Sequence, residues 1–157
     1  MAQANPYRDL DAEARETIAR LLATSTHAAL GVIDPDHGGP AVSRIAFAWI
    51  DGAAITLISS LSDHTKALAL DARCSLMIGT PAARGDPLTH PRLMLTAMAT
   101  PQRKDDWRAS YLALRPKAGL YVDFTDFQFL KFEISAATLN GGFGKAYRLA
   151  TSDLRTV

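Results

Sequence analysis

A group of hydroxyl and basic side chains follows a short predicted strand and could bind an anion. Residues 55–58 are rich in β-branched side chains, which favours a strand, and the polar residues 59–63 predict a turn into a helix. The first backbone N–H groups of a helix lack intrahelical partners and attract anions, and Lys66 adds a full charge in the first turn. The alternative, which the local sequence alone favours, is a plain N-cap at Ser62 or Asp63 with a solvated Lys66.

A second candidate lies on the predicted strand at residues 41–50. A strand alternates its side chains between two faces. Arg44 therefore shares a face with Val42, Ala46, Ala48 and Ile50, opposite Ser43, Phe47 and Trp49. A flat aromatic cofactor could lie along the alanines while the guanidinium holds its phosphate. The alternative is an ordinary cross-strand ion pair of Arg44.

The two candidates together predict a phosphate site. The strand at residues 41–50 and the segment at residues 55–60 are neighbours in a predicted hairpin, so Arg44 can approach the start of the following helix. One phosphate could then meet the helix amides and a set of side chains: Arg44, Lys66 and the hydroxyls of Ser59, Ser60 or Thr65.

Length and composition indicate a globular chain with one domain, residues 1–157. Hydrophobic residues make up 48% and charged residues 21%, which excludes a disordered chain. The net charge of +1 gives no basic field for nucleic acid or an anionic membrane. The single Cys74 excludes an internal disulfide and fits a buried strand residue in a reducing compartment. No apolar run predicts a signal peptide or a membrane span, so a cytoplasmic location is expected.

The predicted elements alternate short strands with a few helices. Asp11 predicts the cap of a first helix whose apolar stripe is Ala14, Ile18, Leu21 and Leu22. Further helices are predicted at 64–70 and 105–114, and strands at 28–34, 41–50, 55–58, 75–80, 92–100 and 127–134. A loose or partner-embracing tail is expected at 1–8, and a short strand or the approach to one at 121–124. Five or six hairpin-connected strands with two or three flanking helices predict a mainly β (α+β) antiparallel barrel.

Four segments carry a resemblance to a known family. They are Ser43-Arg44; the run Ser59-Ser-Leu-Ser-Asp-His-Thr-Lys-Ala-Leu68; Gly85-Asp-Pro87 with His90-Pro-Arg-Leu93; and Leu139-Asn-Gly-Gly-Phe-Gly-Lys-Ala146. In this order they span nearly the whole chain. The chain resembles the pyridoxamine 5′-phosphate oxidase-like, FMN-binding split-barrel family, and within it the HugZ-type heme-utilization branch.

The resemblance implies an antiparallel split β-barrel that forms a homodimer with FMN at the subunit interface. It assigns the phosphate and ribityl chain to Arg44, Ser59, Ser60, Thr65 and Lys66, and the isoalloxazine ring to the backbone of Ser43, Arg44, Ile45, Ala46 and Phe47. Arg92 and the turn residues Asn140, Gly141 and Phe143 are expected to reach the cofactor from the other subunit. His64 could also touch the cofactor. In the heme-utilization branch, heme can occupy the same cleft.

No side chain stands out as a catalytic acid, base or nucleophile, as expected if the flavin carries the electrons. His27, His37 and His90 lack metal-ligand spacing and are expected to be surface or hydrogen-bonded residues. The sequence thus predicts an FMN-dependent oxidoreductase acting on a small molecule. The alternatives are a flavin or heme carrier, a heme-degrading protein, and a relative that binds a deazaflavin.

Overall fold

The computed structural model describes residues 5–155 and contains nine strands and three α-helices there. The helices are α1 (Ala12–Thr24), α2 (Asp63–Leu70) and α3 (Lys104–Leu114). The strands are β1 (Tyr7–Arg8), β2 (His27–Ile33), β3 (Pro40–Ala46), β4 (Ala48–Ile50), β5 (Ala53–Ser59), β6 (Arg73–Ile78), β7 (Arg92–Gln102), β8 (Phe127–Asn140) and β9 (Ala146–Leu149). Three short 3₁₀ turns join them at Pro87–Thr89, Pro116–Leu120 and Thr151–Leu154.

The strands form one mixed sheet in the order β1-β9-β8-β7-β6-β2-β3, with β5 added to β8 and β4 added to β5. All neighbours are antiparallel except β1 and β9. The long strand β8 pairs with β5 through its first half and with β9 through its last four residues. Because β3 and β4 end the path without pairing to each other, the sheet curls but does not close. This is the predicted split barrel.

Two groups of apolar side chains hold the barrel together. The larger one fills the space inside the sheet, where α1 and α2 contribute residues such as Ile18 and Leu68. The smaller one lies between β4, β5, β8 and α3, around an edge-to-face pair of Tyr111 and Phe129 whose ring centroids are 5.2 Å apart. Cys74 is buried in the larger group, and burial raises the pKa of its thiol to about 11, as expected for an inert core residue.

The helix predictions are confirmed. Asp11 caps α1 by accepting a hydrogen bond from the Ala14 N–H at 2.7 Å, and the stripe Ala14, Ile18, Leu21 and Leu22 is buried. Helices α2 and α3 each begin one residue before the predicted start and end where predicted.

The single strand predicted at residues 41–50 is wrong, because the chain leaves the sheet path at Phe47. The Phe47 side chain is fully buried, and its N–H donates to the Thr26 carbonyl, the last bond in the β2–β3 register before Ala48–Ile50 pair with β5 instead. After this break Ala48 and Ile50 enter the smaller core group. The predicted alanine-walled face of Arg44 is therefore shorter, with Val42 and Ala46 as its neighbours on β3.

The C-terminal third also differs from its prediction. Strand β8 continues past residue 134 to Asn140, because a bulge opposite Thr96/Ala97 absorbs one residue and shifts the inward positions from even to odd numbers. Residues 121–124 form turns that lead towards β8, the second of the two predicted alternatives. Of the expected loose tail, residues 1–4 lie outside the described chain, whereas Tyr7–Arg8 pairs with β9. None of the helices within residues 5–155 has the length and hydrophobicity needed to span a bilayer.

Candidate functional site

One face of the sheet points away from the core and carries exposed apolar side chains. Along β2, β6 and β7 the buried residues alternate strictly with exposed or half-buried ones, so every second side chain faces outward. We call this surface the outer face. Its large apolar members have exposed fractions between 40% and 75%: Ile33, Val42, Met77, Met94 and Met98. An apolar surface of this kind marks a binding or association site more often than a scattered single residue does.

A recess of about 570 Å³ lies on the outer face where β3, β2 and the end of β6 meet. Register places Arg44 opposite Ala29 and Ala29 opposite Met77, so these three side chains form one row across the sheet. Arg44 and His27 lie in the wall of the recess together with Val42. We call it the His27–Arg44 recess. It combines apolar surface with a guanidinium, which suits a flat ligand that carries an acidic group.

The two polar groups of the recess differ in their contacts. Arg44 is exposed and makes no hydrogen bond or ion pair with any residue in 5–155. His27 is half-buried, with Nδ1 3.3 Å from the Thr26 Oγ1 atom and Nε2 3.4 Å from the Thr80 Oγ1 atom. Both histidine contacts are long for hydrogen bonds, so a better partner could replace either of them.

Gly79 closes one end of the recess and can only be glycine. Its φ is +113°, and a Cβ atom there would overlap the Pro91 carbonyl oxygen and lie 2.9 Å from the Arg92 Cα. The end of β6 is thereby held tightly against the start of β7. The wall of the recess thus depends on a backbone approach that no other residue type permits.

The predicted phosphate residues at the start of α2 form a second group, which we call the α2 corner: Ser59, Ser60, Thr65 and Lys66. The Ser59 hydroxyl donates to the Asp126 carboxylate at 2.6 Å and accepts from the Leu61 N–H. Lys66 lies 3.5 Å from the Asp63 carboxylate, and both side chains are exposed. Two carboxylates therefore already face the groups that were expected to hold a phosphate.

Other groups of the α2 corner are open to a ligand. Ser62 occupies the N-cap position, but its side chain makes no capping hydrogen bond, so within the described chain the N–H groups of Asp63 and His64 are left open, whereas the Thr65 N–H donates to the Ser62 carbonyl. The Thr65 hydroxyl is buried and has no hydrogen-bond partner in the described chain. A buried hydroxyl without a partner is costly, which is consistent with a missing ligand or water.

Ser43 and His64 are the predicted site residues that the structure brings into contact. The Ser43 Oγ atom and the His64 Nδ1 atom are 3.0 Å apart, linking β3 to α2. Burial lowers the pKa of His64, although the Asp63 charge opposes this. Because Ser43 and Arg44 alternate along β3, Arg44 points to the outer face and away from this link. No α2 residue lines the His27–Arg44 recess in the described chain.

Arg92 and the glycine-rich turn lie at the other side of the outer face. Arg92 is the register partner of Asn140 and is three strands away from Arg44 in the sheet order. Its Nη1 atom donates to the Leu88 carbonyl at 3.1 Å. Asn140 accepts from the Gly142 N–H, and Phe143 is 77% exposed. Within one chain these residues and Arg44 are not in contact.

The donor sets fit the two expected cofactors differently. The α2 corner has the buried Thr65 hydroxyl without a partner and two open helix amides, but carboxylates face both Lys66 and Ser59 in the described chain, so the corner as it stands does not fit an FMN phosphate well. The His27–Arg44 recess fits heme, because it offers an apolar wall, an unpaired guanidinium and an imidazole. No three His, Cys, Asp or Glu side chains in residues 5–155 cluster in a way that could hold a metal ion by themselves.

Sequence reasoning missed two residues of these sites. His27 has the hydrogen-bond contacts expected of it, but its place in the wall of the recess was not predicted; the signal that could have found it is its position two residues before Ala29, a small outward residue of β2. Asp126 carried no signal, since it lies 67 residues from Ser59 and meets it through the pairing of β5 with β8.

Comparison with known proteins finds one curated relative of the chain and solved structures of the same fold. No family model matches the chain. The chain is 33% identical over 117 residues to the chloroplastic non-canonical heme oxygenase HOZ of Arabidopsis thaliana, which covers 71% of this chain and 35% of that protein. The chain therefore spans about a third of the length of this curated relative.

Two solved structures show the fold. A heme binding protein from Mycobacterium smegmatis has a TM-score of 0.82 at 24% identity, covering 94% of this chain and 62% of that one. A protein of the pyridoxinephosphate oxidase family from Clostridium acetobutylicum has a TM-score of 0.70 at 12% identity, covering 92% and 99%. The 33% identical relative and the open barrel shared with these structures together show that the chain belongs to the pyridoxamine 5′-phosphate oxidase-like split-barrel family, with heme-utilization proteins among its relatives.

Proposed function

We propose that this protein binds heme in the His27–Arg44 recess and works as a homodimer. The observation that carries the proposal is Arg44, an exposed guanidinium without a partner in residues 5–155, beside the apolar wall of Ala29, Val42 and Met77. Heme is flat and apolar and carries two carboxylates at its edge. A ring lying on the apolar wall can therefore pair one carboxylate with Arg44 in a charge-assisted hydrogen bond.

The relatives support heme as the ligand. The curated relative with 33% identity is a heme oxygenase, and a structure covering 94% of this chain is a heme binding protein. The second supporting point is charge: among the described residues Arg44 has no carboxylate partner, whereas the lysine of the α2 corner faces Asp63.

A second copy of the chain is the partner that the outer face would accommodate. The five exposed apolar side chains on this face would be buried by association, and stable interfaces bury roughly 800 Å² on each partner. A dimer would also explain the separated site residues. Arg92, Asn140, Gly141 and Phe143 lie three strands or more from Arg44 within one chain, and a second protomer could bring its own set to the recess.

Hemin titration of the purified protein, with sedimentation velocity in parallel, tests this proposal. We expect stoichiometric binding, seen as a shifted Soret band, and a dimer whose outer-face variant Met77→Asp is monomeric. A monomeric wild type, or hemin uptake that rises without saturation, would contradict the proposal.

FMN-dependent oxidoreduction of a small molecule is the second candidate function. The buried Thr65 hydroxyl without a partner and the open amides of α2 favour it, because both could serve a phosphate. A comparison of FMN with riboflavin tests this candidate, since the two differ only in the phosphate. Tighter binding of FMN, followed by bleaching of the flavin with NAD(P)H, supports it; equal binding of both counts against a phosphate site.

Heme degradation and heme transport require separate tests, because both begin with the same complex. No carboxylate lines the recess in the described chain, so the protein would contribute mainly orientation and access. The hemin complex mixed with ascorbate and oxygen distinguishes them. Loss of the Soret band with formation of a ring-opened product indicates degradation, whereas a stable band and transfer of hemin to apomyoglobin indicate transport.

A further inference from the structure

We propose that His27 donates its Nε2 lone pair to the heme iron, which makes β2 the strand that fixes the position of the metal. This inference rests on the proposed function, since it assumes heme in the His27–Arg44 recess. His27 is the first residue of β2 and faces outward on the same side as Ala29. It lines the recess together with Arg44.

The other histidines are held elsewhere. His37 forms a hydrogen bond with the Asp34 carboxylate in the turn after β2. His64 contacts Ser43 through Nδ1 on the inner side of β3. His90 accepts the Ala82 N–H with its Nδ1 atom in the loop before β7. Of the four histidines of the chain, His27 alone lines the recess.

The spacing of His27 and Arg44 suits the two ends of a porphyrin. Register places His27 opposite Ala46 and Arg44 opposite Ala29, so the two residues are diagonal neighbours on adjacent strands. Diagonal neighbours are about 7–8 Å apart at the backbone. The iron lies at the ring centre and the carboxylates at the ring edge. This diagonal spacing therefore lets His27 bind the iron at the ring centre while an extended Arg44 side chain reaches a carboxylate at the ring edge.

The hydroxyl neighbours of His27 can set its tautomer. With the proton on Nδ1, the ring donates to Thr26 Oγ1 at 3.3 Å and leaves the Nε2 lone pair available. The contact of Nε2 with Thr80 Oγ1 is 3.4 Å, long enough to be given up for a metal bond. Metal-bound histidines commonly have such a partner on the second nitrogen, which orients the ring.

The test is hemin binding to wild type, His27→Ala and the control His37→Ala, followed by visible absorption and electron paramagnetic resonance. We expect His27→Ala to bind hemin roughly 10–100-fold more weakly and to lose the spectral signature of nitrogen ligation. His37→Ala should match wild type, because His37 lies outside the recess. Added imidazole should restore the nitrogen-ligated spectrum of His27→Ala, and circular dichroism of each variant shows that the fold is intact.

The outcomes separate this inference from the proposed function. If wild type binds hemin and His27→Ala gives the same spectrum and affinity, the iron has another ligand and the inference is wrong while the function stands. A changed spectrum in His37→Ala alone would assign the iron to the other end of β2 and also overturn it. If wild type takes up no hemin, the proposed function fails and the inference fails with it. His27→Gln provides a second variant should the alanine variant not fold.

Discussion

The His27–Arg44 recess and the α2 corner both gather cations and polar groups, but they differ in what already faces those groups. In the α2 corner, Asp126 accepts the Ser59 hydroxyl and Asp63 faces Lys66. In the recess, Arg44 has no carboxylate partner in residues 5–155. Residue types alone therefore favour the corner, whereas the balance of charges favours the recess.

The two sites differ in whether their cation already has a carboxylate partner, and not in whether a ligand can reach the cation. An exposed pair such as Lys66 and Asp63 is weak, so a phosphate could still displace it. The Asp126 carboxylate would remain, however, and would repel a phosphate bound by Ser59. An anion entering the recess meets Arg44 without first breaking an ion pair. The predictions below test this contrast.

Gly79→Ala is expected to have the largest effect, because it damages the recess and leaves the α2 corner in place. The new Cβ would overlap the Pro91 carbonyl at a φ of +113°. We expect the free energy of unfolding to fall by about 3 kcal/mol, with loss of hemin binding. Urea denaturation monitored by tryptophan fluorescence measures this change.

The matched control for this variant is Gly38→Ala. Gly38 also has a positive φ, +68°, but no atom lies within 4 Å of its Cβ position. This variant should lose only about 1 kcal/mol and should bind hemin like wild type. Equal losses in the two variants would show that strain alone, and not the approach of Gly79 to Pro91, supports the recess.

The sequence predicts the parts of this contrast that depend on local patterns. Three features are encoded in consecutive residues and could be predicted: the capped first helix, the strand and turn before α2, and the glycine-rich turn. The last two also carry the resemblance from which the split barrel was expected. The charge partner of Ser59 is not encoded locally. Asp126 meets it only when β5 pairs with β8, and no spacing in the sequence indicates that pairing.

Two other features depend on packing and could not be predicted from periodicity. The predicted strand at residues 41–50 divides at Phe47 because the chain changes its pairing partner there, from β2 to β5. The two-residue period of β8 holds to residue 134 and then shifts by one at the bulge, which lets Ala137 and Leu139 face inward. In both places tertiary contacts decide which side chains face the core.

Arg44→Ala and Lys66→Ala compare the two sites directly. Loss of the unpaired guanidinium should weaken hemin binding by about 2 kcal/mol, roughly 30-fold, through a lost charge-assisted hydrogen bond. Lys66→Ala should change it less than about threefold, because Lys66 is exposed and already faces Asp63. Isothermal titration of both variants gives the two values. The reverse order of effects would assign the ligand to the α2 corner.

Asp126→Asn removes the charge that opposes a phosphate in the α2 corner while keeping an acceptor for the Ser59 hydroxyl. If the corner can hold the FMN phosphate, the variant should bind FMN more tightly by about 1 kcal/mol, with riboflavin binding unchanged. Quenching of flavin fluorescence measures both.

Asp123→Asn is the control for this effect, because Asp123 pairs with Arg108 on the surface and carries the same charge. An equal gain in both variants would indicate a general effect of net charge. No gain for either flavin would show that the corner holds no phosphate.

The smallest expected effect is the pH dependence of stability that arises from His64. Burial lowers the pKa of His64 in the folded protein below its value of 6.5 in the unfolded chain. Between these two values the unfolded state binds more protons, so stability rises with pH. The His64 contribution is therefore complete above pH 6.5 and is lost as the pH falls through the folded-state pKa. Urea denaturation of wild type at pH 5.5 and 7.5 measures this difference.

His64→Gln should reduce that difference between the two pH values, since glutamine does not titrate. Its stability at pH 7.5 should also fall slightly if the bond to Ser43 weakens. His90→Gln is the control, because His90 lies in the loop before β7 and away from this contact. If His64→Gln keeps the full pH dependence of wild type, the link between β3 and α2 is not sensitive to protonation.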